Sequence, residues 1–126
     1  MAVLSAFQPQ GLTIGFVTSG TISTSQSVQV TPQNLGFAAN QTTFPPNVWL
    51  INRGTADVFI SFTLATATIA IPTAGTTTVG TPTQAFNLVP GVPVVLTIPV
   101  GPTIWMQNIS GTASQTYYVT FGEGMI

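Results

Sequence analysis

No segment of helical length in this chain carries an apolar stripe at i, i+3, i+4 and i+7 without meeting glycine or proline. Ten prolines and twelve glycines are spread along the 126 residues, which leaves room for short strands between turns and little else. The apolar positions follow the period of a strand. Val94, Leu96 and Ile98 alternate with Val95, Thr97 and Pro99, and Ile69 and Ile71 alternate with Thr68 and Ala70. The expected strands are Leu12–Thr18, Ser27–Thr31, Val48–Asn52, Val58–Leu64, Thr68–Ile71, Ala85–Val89, Val94–Ile98, Ile104–Ile109 and Tyr117–Phe121, rich in β-branched and aromatic residues. They predict an all-β fold: an antiparallel β-sandwich, jelly-roll-like, of about eight short strands. A chain of this length suits one domain, residues 1–126. The first 47 residues carry long polar stretches and no charge, and residues 1–11 are expected to form an extended or flexible arm.

Charge is almost absent. Arg53, Asp57 and Glu123 are the only charged side chains, and there is no Lys, His or Cys. A Ser-His-acid or Cys-His site cannot be assembled without His or Cys. Asp57 and Glu123 lie in different predicted hairpins, so nothing in their spacing makes them an acid–base pair. Zinc lacks its nitrogen and sulfur ligands, and no Asp-rich loop suggests calcium. One arginine cannot neutralise a nucleic-acid backbone. The expectation is a protein that is not an enzyme, needs no cofactor or metal and binds no nucleic acid.

Low charge raises the question of a membrane. The longest apolar-leaning stretch, Val58–Ile71, carries Ser61, Thr63, Thr66 and Thr68 and ends at Pro72. It falls short of the roughly 20 residues a spanning helix needs. The first residues, MAVLSAFQPQG, lack the basic and apolar regions of a secretory signal. No membrane partner is expected.

Residues 48–62, VWLINRGTADVFISF, are echoed by residues 104–121, IWMQNISGTASQTYYVTF. Trp49 matches Trp105, Asn52 matches Asn108, Gly54-Thr55-Ala56 matches Gly111-Thr112-Ala113, and Phe59–Phe62 matches Tyr118–Phe121. Each unit reads as a β-hairpin whose turn uses Asn and Gly. Within the first, Arg53 and Asp57 are expected to face each other across the turn, either as an exposed ion pair or as a buried or intersubunit one. Trp49 and Trp105 are expected in the core, with an interface anchor or a sugar-stacking surface as the alternative. The spacing Gly75-x4-Gly80 lacks the Lys-Ser/Thr of a phosphate loop and reads as a Thr-rich loop.

A neutral, strand-rich surface without edge lysines invites association, and its natural explanation is coverage by neighbours. Three segments carry a resemblance. VWLINRGTADVFISF, FNLVPGVPVVLTIPVG and TYYVTFGEGMI resemble small, neutral β-sandwich proteins of tailed bacteriophages, the capsid decoration or cement proteins with a jelly-roll fold. The resemblance covers roughly residues 45–126. It implies a homo-oligomer, dimer or trimer, without a catalytic site. Its partner would be the major capsid protein, and its place the outer surface of the virion shell, which it would stiffen. The alternative is a tail-tip or fibre module that recognises host glycans through Trp and Tyr side chains.

Overall fold

A computed structural model describes residues 6–38, 40–73, 80 and 84–124. The described residues form nine strands: β1 (Gln8–Pro9), β2 (Ile14–Val17), β3 (Gln26–Val30), β4 (Asn47–Asn52), β5 (Val58–Thr63), β6 (Phe86–Leu88), β7 (Val94–Thr97), β8 (Ile104–Ile109) and β9 (Thr116–Glu123). A 3-10 turn, Pro32–Leu35, follows β3 and ends at Gly36, whose φ of 80° suits a residue without Cβ.

Two antiparallel sheets result. Sheet I runs β1-β9-β4-β7, with β2 also on β9; sheet II runs β3-β8-β5-β6. β1 and β2 pair along the same side of β9, at Gly122–Glu123 and at Thr116–Val119. Between them Gln10–Thr13 stand opposite only Thr120 and Phe121, a bulge that breaks one edge strand into two. Counting that strand once, the pairing is nested. β1/β2 pairs with β9, β3 with β8, β4 with β7, and β5 with β6. The ribbon closes on itself where β4 also pairs β9 and β5 also pairs β8.

The core lies between the sheets. Val48, Leu50, Val119 and Phe121 of sheet I meet Ile60, Ile104 and Met106 of sheet II, all fully buried. Each such side chain contributes about 1.5–3 kcal/mol relative to exposure. Phe44 and Phe62 close on the Phe121 ring at centroid distances of 4.8 and 6.5 Å.

The two echoed units are not hairpins. β4 lies in sheet I and β5 in sheet II, while β8 lies in sheet II and β9 in sheet I. Each unit is an arch that crosses the core, and each strand pairs with the other unit. Exchange of the two arches maps the β4–β9 pair onto β8–β5, so the echo is a pseudo-two-fold of the sandwich. The register departs from strict symmetry by two residues, since Trp49 pairs with Thr120 whereas Trp105 pairs with Thr63 rather than Ser61. A slide of two keeps every side chain on its own face.

Thr68–Ile71, expected as a strand, forms no ladder. Residues 64–73 run along the outer side of sheet II instead. Ser27 Oγ donates to the Ala67 carbonyl at 3.2 Å, and Ile69 N–H donates to Ser25 Oγ at 3.1 Å. Ile69 is buried there, and Ile71 approaches Gly111. Serine side chains replace the backbone partners that a strand would need. Most of the Gly75–Gly80 loop falls outside the described residues. Of the expected arm, Gln8–Pro9 is a strand on the edge of sheet I.

Candidate functional site

The two arches meet at one end of the sandwich and hold each other. Asn52, wholly buried at the end of β4, accepts the Gly54 N–H on Oδ1 at 2.8 Å. Its Nδ2 donates to the carbonyls of Ala56 and Leu88 at 2.8 and 2.9 Å. This side chain organises the crossing, as Asn does in tight turns. From the other arch, Gln115 Oε1 accepts the N–H groups of Thr55 and Ala56 at 2.7 and 2.9 Å. Ser110 Oγ donates to the Asp57 carbonyl at 2.8 Å, and Arg53 N–H donates to the Thr116 carbonyl at 2.8 Å. A Cβ on Gly54 would lie 2.2 Å from Gln115 Oε1, so glycine is what lets the arches come this close.

Arg53 and Asp57 do not pair. The arch carries Arg53 with sheet I and Asp57 with sheet II, whereas a hairpin would have set them opposite one another. No ion pair joins described residues. Asp57 Oδ2 accepts from Asn87 Nδ2 at 3.2 Å. The exposed Arg53 side chain rims a cleft of about 330 Å³ with Asn52, Gly54, Pro90 and Gly91. Asp57 and Glu123 lie at opposite ends of the sandwich. Thr116 touches the arches, and Glu123 is seven residues further along β9, roughly 23 Å at strand rise. The two carboxylates therefore do not form one site, and no group of three metal-ligating side chains occurs among the described residues.

Neither tryptophan is in the core, contrary to the expectation from their size. In VWL and IWM the flanking Val48, Leu50, Ile104 and Met106 take the inward positions. Strand alternation then turns Trp49 and Trp105 to the outer faces of opposite sheets, where both are half-buried. Trp105 sits between Gln29 of β3 and Thr63 of β5. Trp49 sits between Val95 of β7 and Thr120 of β9. Beside Trp49, the side chains of Phe7, Pro9, Thr13 and Thr120 complete a cleft of about 300 Å³. Thr13 and Thr120 hydrogen-bond through their hydroxyls on its floor. Of all the candidate residues, Trp49 is the one that the fold places in a cleft with both aromatic walls and polar groups.

Two buried polar residues, Asn108 and Gln107, left little signal in the sequence. Asn108 Nδ2 donates to the Tyr117 hydroxyl at 2.9 Å inside the sandwich. Burial pushes the Tyr117 phenol well above the usual tyrosine range, and the bond from Asn108 only partly offsets it. On the outer side of sheet II, Gln107 Oε1 accepts from the hydroxyls of Ser61 and Thr63. The pairing of Asn108 with Asn52 in the echo is the one trace of the first.

The chain matches no protein-family model, no curated protein and no solved structure.

Proposed function

We propose that this protein is a non-enzymatic structural component of a virion, a decoration or cement protein that binds the outside of a capsid shell as a homo-oligomer and stabilises it. The observation that carries this reading is the state of the sheet edges. The four long edges are formed by β2, β3, β6 and β7, and none of these strands contains a charged residue. Val17 on β2 is 54 % exposed and Phe86 on β6 is 41 % exposed. Free-standing sheets commonly protect such edges with charge. Uncharged edges with exposed apolar residues such as Val17 and Phe86 suit strands that work while covered by neighbouring subunits, through main-chain pairing and apolar contact.

The nested pairing supports the finer reading of the fold as a jelly roll, a two-strand ribbon folded over into two four-stranded sheets. It accords with the jelly-roll decoration proteins that residues 45–126 resemble. The major capsid protein is the partner in this reading, and lattice repetition lets modest contacts add up. Because charge contributes little to such an interface, its salt dependence is weak.

The test is to mix purified protein with expanded capsids stripped of their decoration protein. Co-sedimentation together with a rise in the capsid melting temperature is expected. Absence of binding, or binding that leaves shell stability unchanged, would overturn the reading.

A further inference from the structure

The cleft beside Trp49 has a composition that the shell-binding role does not require. Its walls are the Trp49 indole, the Phe7 ring and Pro9, and its floor is the Thr13–Thr120 hydroxyl pair. None of these five side chains is charged. We propose that this cleft is a binding site for one neutral sugar ring, an activity separate from attachment to a shell.

The chemistry follows from the groups present. One face of a pyranose is lined by C–H bonds with slight positive charge, and the face of an indole is negative, so the two stack. Strand β4 turns Trp49 outward and the β9 partner leaves it half-buried, which holds the ring while keeping part of it open to solvent. Each threonine hydroxyl offers one donor and two acceptor positions. Thr120 is buried, so the exposed Thr13 hydroxyl is the one that meets adjacent sugar hydroxyls, with the positions its bond to Thr120 leaves free. With no cation in the lining, an acidic sugar gains nothing over a neutral one. A volume of about 300 Å³ lies at the lower end for ligand sites and suits a single ring.

A site of this size binds weakly, with a Kd of order 1 mM. Many copies on one particle would convert that into firm adhesion to a glycan-coated surface. The site is nevertheless a property of the isolated chain, so its failure and the failure of shell binding are read in different experiments.

The experiment uses the isolated protein and a panel of neutral saccharides: glucose, galactose, mannose, N-acetylglucosamine and their disaccharides. Each is titrated to about 50 mM, well above the expected Kd, and binding is followed by tryptophan fluorescence and by saturation-transfer NMR of the sugar. At least one should saturate. Trp49→Ala should weaken it at least tenfold and Thr13→Val severalfold, while Trp105→Ala on the opposite sheet leaves it unchanged. Far-UV circular dichroism reports folding, and Thr13→Val, at an exposed position, serves if Trp49→Ala does not fold. Absence of saturable binding across the panel, or equal loss in Trp105→Ala, would overturn the assignment. So would binding that is indifferent to both Trp49→Ala and Thr13→Val.

Discussion

Asn108 donates its side-chain N–H to the hydroxyl oxygen of Tyr117 at 2.9 Å, and both side chains are wholly buried between the sheets. The bond crosses from sheet II to sheet I and ties the second arch to itself. It also places a titratable group where its ionised form has no solvation.

The consequence is alkaline unfolding. Burial raises the folded-state pKa of Tyr117 above that of the unfolded chain, about 10. Stability from this group is therefore fully present below pH ~10 and is lost as pH rises above it, by about 1.4 kcal/mol per pH unit until the folded-state value is reached. Chemical denaturation between pH 7 and pH 12 should show the decline. Tyr117→Phe should remove most of it while costing about 1–3 kcal/mol at neutral pH, because Asn108 loses its acceptor.

Gln115 fastens one arch to the other through two N–H groups. Gln115→Ala leaves the N–H groups of Thr55 and Ala56 without that acceptor and should destabilise by about 2–4 kcal/mol. The denaturant midpoint should fall with little change in slope.

Gly54→Ala brings a methyl group against Gln115 Oε1. The single substitution should destabilise by about 1–3 kcal/mol. In the Gln115→Ala background its further effect should be smaller, because only the Cβ of residue 115, 3.1 Å away, remains in close contact. A double-mutant cycle by urea denaturation measures that coupling, and additive effects would contradict the described contact.

Arg53→Ala and Asp57→Ala should each change stability by less than about 0.5 kcal/mol, with a coupling close to zero, because the two side chains form no ion pair and Asp57 bonds Asn87 instead. Raising the salt concentration should leave the denaturation midpoint almost unchanged.

The strands were largely legible in the sequence because alternation and turn residues report burial directly. Val94, Leu96 and Ile98 face the core as their alternation predicts. Arches and hairpins, however, share the same local signature. The inward set Val48, Leu50, Asn52, Val58 and Ile60 satisfies either one. What separates them is the partner of each strand, a long-range property that Asn52 and Gly54 do not encode. The same limit hid the positions of Arg53 and Asp57. The tryptophans were misplaced for a different reason. Size favours the core, but parity within a strand is absolute, and Val48 and Leu50 had already claimed the inward phase. The cleft at Trp49 needs Phe7, Thr13 and Thr120 from distant strands, so only the Trp itself stood out beforehand.

The nested pairing also governs the order of assembly. β5 and β6 are the closest partners in sequence, whereas β1 and β2 must wait for β9, more than 90 residues later. During synthesis β1 and β2 leave the ribosome long before their mate, β9, does. Such distant closure makes for slow folding. Until it happens, the edge of β9, charged only at Glu123, is open to pairing by a neighbouring chain's β2.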